Sequence, residues 1–244
     1  MSKAKIKKLI PKRFVEICRD LNIKRVRKQN SRKSVKQVFQ ETYSKNKWGG
    51  KAGEFYSGSG SDEAASKEYI EVVKDYIKKL KLKKLKLKII DLGCGDFRVS
   101  RNLISENIDY VGIDVVPELI QKNRFEFSAK NIKFECLDII ENKLPDGDIC
   151  IIRQVFQHLS NNQIQKILKK LSKYKYIFIV EHYPFSEENS WPNKDKSHGQ
   201  DIRLAENSAV YLDKSPFDVK NIKEILVTNI SKEEGKIKTF IIRN

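Results

Sequence analysis

The sequence predicts an α/β fold: a mostly parallel sheet of seven strands with an antiparallel last strand, preceded by a helical N-terminal extension. Three observations carry this. From residue 85 onward, short apolar runs alternate with helical segments, the pattern of βαβ units on a parallel sheet. The C-terminal runs "VKNIKEILVTNI" and "GKIKTFIIRN" flank "SKEEG" with no helix between them, as an antiparallel hairpin does. Before residue 47, apolar residues recur at steps of three and four.

In order along the chain, residues 3–46 read as helical, with Ile6, Leu9, Ile10, Phe14, Ile17 and Leu21 on the repeat and Pro11 starting or interrupting a helix. The stretch "WGGKAGEFYSGSGSDE" (48–63) then holds five of the chain's eleven glycines. A helix follows, with Ser61 as its expected N-cap and Ile70, Val73, Ile77 and Leu80 on one face. "LKLKIIDLG" is the first strand and "RVSRNLISEN" is expected to be a helix. "DYVGIDVV" is the second strand, with a helix starting at Pro117. "IKFECLD" and "GDICIIRQ" are the third and fourth strands, "NNQIQKILKKLSKY" a helix and "KYIFIVEHY" the fifth strand. Residues 184–217 form a long, polar, proline-punctuated segment, a length that marks a functional or a disordered loop. The boundaries are an extension over 1–62, ending in a glycine-rich lid, and a main domain over 63–244.

Composition narrows the function classes. The 244 residues carry a formal charge of +17, and residues 1–51 hold seventeen Lys or Arg against Glu16, Asp20 and Glu41. An anionic partner is one reading, whether nucleic acid, a phosphorylated substrate or the anionic inner membrane. A general lysine bias is the other, since lysine outnumbers arginine 38 to 11. Cys18, Cys94, Cys136 and Cys150 lie far apart, with no paired spacing and no clustered histidines, so no metal is expected. Three of the four lie in or beside apolar stretches, as buried free thiols do. No apolar run approaches the roughly 20 residues that span a bilayer, and the basic N-terminus lacks a signal peptide's apolar core. The expected compartment is the cytoplasm, with peripheral contact at the inner membrane open.

The chemistry concentrates in "KIIDLGCGDF". A strand ends at Asp91, and Gly93-Cys94-Gly95 turns the chain so that a ligand can approach the backbone closely. Arg98 stands where a dinucleotide-binding turn would place a third glycine, and Asp114 ends the next strand 19 residues after Gly95, placed to accept both hydroxyls of a ribose. A nucleoside without a pyrophosphate is therefore the better ligand.

The segments "DLGCGD", "VGIDVV" and "CLDI", so spaced, resemble class I S-adenosylmethionine (SAM)-dependent methyltransferases over roughly residues 85–244. The resemblance implies a Rossmann-like sheet, SAM as methyl donor and S-adenosylhomocysteine (SAH) as product. It implies that Asp91, Gly93 and Gly95 line the methionine portion, that Asp114 with Val115 holds the ribose, and that Asp138 and Ile139 flank the adenine. Arg153 joins this cofactor set, and the lid adds Trp48 and Tyr56 over the sulfonium, with Ser57, Gly58 and Ser61 at the methionine end. All three histidines fall after predicted parallel strands. An alcohol nucleophile benefits from a base that titrates near neutrality, so His158 is the first candidate base and His182 the second. In the long segment, His198, Asp201 and Arg203 are the candidate acceptor-binding groups.

The segments "WGG…SGSGS", "RQVFQHLSN", "VEHYP" and "PNKDKSHGQDIRL…VYLDKSPF" resemble a bacterial methyltransferase subgroup of surface-glycan and natural-product pathways. It implies O-methylation of a small polar molecule, sugar-linked or phosphorylated (a phosphoramidate included), in capsule or other surface polysaccharide synthesis. RNA methylation through the basic N-terminus is the competing expectation.

Overall fold

The structure, a computed structural model, describes residues 12–81, 85–231 and 233–244. The N-terminal region is two helices rather than one. Helix α1 spans Lys12–Asn30 and α2 spans Val35–Ser44. The break comes from a capping box: Ser34 accepts from the Gln37 backbone while the Gln37 side chain accepts from Ser34 N–H. Such a cap stabilises a helix start by about 1 kcal/mol. Of the expected apolar repeat, Ile6, Leu9, Ile10 and Pro11 lie outside the described residues, and Leu21 is exposed.

Helix α3 spans Glu63–Lys81. Ser61 does not cap it. Ser61 is buried at the end of a short 3-10 turn, its hydroxyl donating to Gly58 O, and extended Asp62 is the residue before the helix. Tyr69, Val73 and Ile77 form the buried face of α3, with Ile70 and Leu80 packed at its margin.

The central sheet comprises β1 (Leu87–Leu92), β2 (Ile108–Asp114), β3 (Ile132–Cys136), β4 (Ile149–Arg153), β5 (Tyr176–Tyr183), β8 (Ile222–Ser231) and β9 (Gly235–Arg243), in the order β3-β2-β1-β4-β5-β9-β8. Strands β1 to β5 are parallel, and β9 runs antiparallel between β5 and β8, as the hairpin pattern predicts. Helices α4 (Pro117–Phe127) and α5 (Asn161–Leu168) follow β2 and β4. One core layer packs Tyr69, Val73 and Ile77 of α3 on Ile89, Ile151 and Val180. The opposite layer packs Ile164 and Ile167 of α5 on Ile90, Ile152 and Ile179. Burial on both faces explains why the strands read as unbroken apolar runs.

One local expectation fails for a physical reason. The segment after β1 is not an α-helix but a turn and a 3-10 stretch, Ser100–Leu103. Its polar side chains take up groups a helix would need: Asp96 accepts from Arg98 N–H, Asn102 donates to the carbonyls of Arg98 and Val99, and Ser100 donates to Asp91. Short polar residues compete with helix hydrogen bonds in this way. The long segment 184–217 is ordered by a two-stranded parallel pair, β6 (Trp191–Pro192) with β7 (Ser208–Ala209), and a 3-10 turn at Arg203–Glu206. Trp191 is 69% exposed. All four cysteines are free; Cys94 and Cys150 are buried, while Cys136 at the end of β3 is exposed, as is Cys18.

Among the described residues, no helix is long and apolar enough to cross a membrane, and no cluster of His, Cys, Asp and Glu could hold a metal ion.

Candidate active site

Strand β1 lies between β2 and β4, so chain direction reverses its order there and opens a crevice at the carboxyl ends of the strands. A cavity of about 610 Å³ occupies that crevice, within the roughly 300–1,000 Å³ of small-molecule sites. Its floor is the ends of β1, β2, β4 and β5, contributing Asp91, Gly93, Asp114, Arg153 and His182. Its roof is α2 and the glycine-rich loop on one side, and residues 200–205 on the other.

The glycine turn is built for close approach rather than for donating N–H groups. Gly93 has φ +79° and Gly95 φ +55°; added Cβ atoms would stand 2.4 Å from Val155 Cγ2 and 2.5 Å from Ser57 Oγ. The N–H groups of Gly93 and Cys94 both donate to Ile113 O, and that of Gly95 donates to Asp114. With these donors spent and no α-helix following, the expected helix N-terminus is absent.

Asp114 accepts from Gly95 N–H at 3.2 Å and Val116 N–H at 3.1 Å. Burial outweighs these bonds and pushes its carboxyl up to about 6. A carboxylate has roughly four lone-pair positions, so acceptor capacity remains for a vicinal diol. Asp138 is oriented by Ile140 N–H, and Ile139, Val115 and Leu137 add apolar wall beside it. Asp91 is fully buried and receives hydrogen bonds from Ser100 and Tyr110; burial still raises its pKa.

The lid residues divide. Ser57 N–H donates to Asp96, Asp96 N–H donates back to Ser57 Oγ, and that hydroxyl shares a 3.0 Å hydrogen bond with Tyr43. This pins Ser57, Gly58 and Ser61 to the cavity wall beside Gly95. Trp48 also lines the cavity, its ring 5.2 Å from both Tyr43 and His158 and 5.9 Å from Phe39. Tyr56 does not reach it: its ring lies under Arg98 and its hydroxyl donates to Asp62.

The histidines divide as well. His158 Nδ1 lies 3.1 Å from Gly199 O and therefore donates to it, and burial holds the imidazole down to about 3. His182 sits on β5 in the cavity wall; burial lowers its pKa, and the Glu234 backbone carbonyl partly opposes that. His198 lies off the cavity, bonded to Gln163 and to Lys33 O. Arg203 is likewise displaced from the expected role. It is buried away from the cavity and donates to Lys194 O, Leu159 O and Asn161, tying the long segment to α5. Asp201 does line the cavity, but its carboxylate is engaged by Arg27 and by Lys196, whose ammonium burial lowers to about 8.

Sequence reasoning read residues 3–46 as helical but missed that α2 lines the site. Val35, Phe39 and Tyr43 line the cavity at a four-residue step that begins right after the Ser34 cap. Both signals stand in "SVKQVFQETY". It also missed Glu181, which accepts from Phe156 and Gln157 N–H and so fixes the turn carrying His158.

The fold and this cavity are those of a SAM-dependent methyltransferase. Residues 83–237 match the family model described as a methyltransferase domain, more than half of the chain, and the chain belongs to that family. Among solved structures it is similar to 1,6-didemethyltoxoflavin-N1-methyltransferase of Burkholderia thailandensis with bound SAH (12% identity, 86% of each chain, TM-score 0.55). It is similar also to magnesium protoporphyrin IX methyltransferase of Synechocystis PCC 6803 with bound SAH (14% identity, 86% of this chain and 100% of that one, TM-score 0.53). A third is the N-methyltransferase NodS of Bradyrhizobium japonicum (10% identity, 71% of this chain and 86% of that one, TM-score 0.51). At such identities the likeness establishes the fold. No curated protein sequence matches the chain.

The residues present fit the cofactor. Asp114 would accept from the ribose hydroxyls, Asp138 and Ile139 would flank the adenine, and the Cβ-free turn at Gly93 and Gly95 leaves room for the methionine chain.

Proposed function

We propose that this enzyme methylates a hydroxyl oxygen of a small polar acceptor, sugar-linked or phosphorylated, of the kind that surface-polysaccharide pathways build. The observation that carries the reading is His182. It lines the cavity, its Nε2 is buried without a hydrogen-bond partner among the described residues, and Glu234 acts on the ring through its backbone carbonyl and its carboxylate charge, both opposing the lowering by burial. A carbonyl accepts only, so the nitrogen nearer to it carries the ring proton and the other presents a lone pair. Lowered pKa keeps that lone pair available at neutral pH. His158, the first candidate from sequence, is the poorer base: Nδ1 is committed to Gly199 O and Nε2 meets the Gln157 amide at 3.3 Å.

SAM supplies an electrophilic methyl group on a sulfonium, and the protein's task is to align an oxygen with it and remove a proton. Trp48, Phe39 and His158 form an aromatic wall that shields the site of methyl transfer from water. Arg153, whose Nε is buried without a partner among the described residues, would meet the cofactor's carboxylate beside Gly60. His182 takes the hydroxyl proton as the oxygen attacks in line. Against an RNA acceptor, Arg27 and Lys33 of the basic extension are spent in internal ion pairs with Asp201, Glu206 and Glu41.

The test is transfer of a labelled methyl group from SAM to sugar nucleotides, sugar phosphates and total RNA. Labelled small acceptors are expected, with His182→Gln lowering kcat by about 100-fold or more at unchanged SAH affinity. On the acid side, wild-type kcat should fall as pH drops through the lowered imidazole pKa of His182. Label in RNA alone, or a His182→Gln enzyme as active as wild type, overturns the reading.

A further inference from the structure

The acceptor half of the cavity has a fixed hydrogen-bond polarity. Gly199 N–H donates to His158 O at 2.9 Å, and His158 Nδ1 donates back to Gly199 O at 3.1 Å. The second contact puts the ring proton on Nδ1, so Nε2 is a lone pair. The Gln157 amide nitrogen, 3.3 Å away, must then be the donor to it. The Gln157 amide is thereby locked in one orientation. Its Oε1 is buried with no partner among the described residues, in a residue only 5% exposed on the cavity wall.

A second orphan stands across the same clasp. Gln200 follows Gly199, lines the cavity, and holds Trp48 through its backbone carbonyl, yet its side-chain Oε1 is also buried without a partner among the described residues. Buried carbonyl oxygens are rarely left unpaired, because each forfeits its hydration for nothing. Here both belong to residues that flank one backbone-to-imidazole clasp, whose imidazole lies 5.2 Å from the Trp48 ring.

We propose that Gln157 and Gln200 are the specificity residues for the acceptor, and that the acceptor is a polyhydroxylated, sugar-class molecule whose hydroxyls donate to both Oε1 atoms. Two acceptor oxygens need two donors from one small ligand, and an aromatic wall suits the apolar face of a pyranose ring. A monohydroxylated or purely aromatic acceptor would leave at least one amide oxygen unpaired, which sites of this kind reject strongly. The inference rests on the O-methylation reading for the reacting hydroxyl, but the binding it predicts stands apart from turnover.

The experiment is saturation-transfer NMR on the full chain loaded with SAH. The probes are the methyl glycosides of glucose, galactose, mannose and fucose, with cyclohexylmethanol as the single-hydroxyl control. At least one glycoside should bind and the control should not. Gln200→Leu and Gln157→Leu should each weaken that glycoside about fivefold or more while SAH affinity is unchanged. Should Gln157→Leu lose SAH binding and hence its fold, Gln200→Leu decides alone. The proposal is overturned if no glycoside binds, if cyclohexylmethanol binds as well as the best glycoside, or if glycoside binding survives the folded variants intact. Glycoside binding that needs Gln200, with no oxygen methylation of any acceptor, would sink the functional reading and leave this one standing. Methylation of hydroxyls in molecules that are not polyols would do the reverse.

Discussion

Trp48 donates its indole N–H to the backbone carbonyl of Gln200 at 3.1 Å, joining the two sides of the cavity roof, which are 152 residues apart in the chain. The loop after α2 and the segment after β5 thus close on each other through one directional bond plus ring packing on His158. Trp48→Phe keeps most of the ring contact and removes the bond. A neutral hydrogen bond contributes about 0.5–1.5 kcal/mol net, so SAH affinity by calorimetry should weaken by roughly two- to tenfold. Trp48→Ala should weaken it further by removing the wall itself. Unchanged affinity in both variants would show that the roof does not hold the cofactor.

Gly93→Ala separates two penalties. The residue's φ of +79° strains any L side chain, and the new Cβ would stand 2.4 Å from Val155 Cγ2. We expect a loss of about 1–3 kcal/mol in denaturant melts. Val155→Ala in the same chain removes the methyl that clashes and should recover part of that loss, but not the backbone part. Full recovery would mean that φ carries no cost here.

Glu181 and the turn at residues 156–158 give a third test. Its two carboxylate oxygens each accept one backbone N–H, from Phe156 at 2.9 Å and Gln157 at 3.0 Å. Burial pushes the Glu181 carboxyl up to about 8, so above that pH, where it is ionised, Glu181→Gln replaces one acceptor with a donor aimed at a buried N–H. That should cost about 1–3 kcal/mol of stability. Because His158 and Gln157 ride on this turn, acceptor KM should rise more than SAH dissociation does. Stability equal to wild type would show that the turn is held by its other contacts.

Much of this was legible in the sequence, and the failures share a cause. The parallel strands, the terminal hairpin and the Asp91–Gly95 and Asp114 pair follow from periodicity and spacing, which are local. Arg203 and His198 misled because their chemistry suits an acceptor, whereas the fold spends Arg203 on three acceptors and His198 on Gln163 and Lys33. Whether a polar side chain faces a ligand or ties two segments together is decided by tertiary contacts, most of them here more than 30 residues away in sequence, which no spacing rule reports. The helix expected after Gly95 failed differently, since the sequence itself carries the helix-competing residues Asp96, Ser100 and Asn102 in that stretch.

Asp114 makes the last prediction, and its sign runs two ways. Its folded pKa of about 6 lies above the ordinary carboxylate value because burial penalises the charge more than the backbone donors of Val116, Gly95 and Val115 reward it. Between roughly pH 4 and pH 6 the ligand-free folded state therefore binds more protons at this site than the unfolded chain does. Its contribution to stability is greatest below the unfolded pKa and is lost as pH rises through about 6, a span of up to roughly 3 kcal/mol. Cofactor binding runs the other way: ribose hydroxyls donate to the ionised carboxylate, so SAH affinity should fall as pH drops below about 6. Asp114→Asn removes the titration. The difference in melting temperature between ligand-free wild type and Asp114→Asn isolates this group from Glu181 and the histidines, which titrate in both proteins. That difference should shift in favour of wild type on acidification from about pH 7 to about pH 5. The SAH-induced rise in melting temperature should shrink over the same interval in wild type and stay level, at a lower value, in Asp114→Asn. A wild-type SAH response that is flat from about pH 5 to about pH 8 would remove Asp114 from the cofactor site.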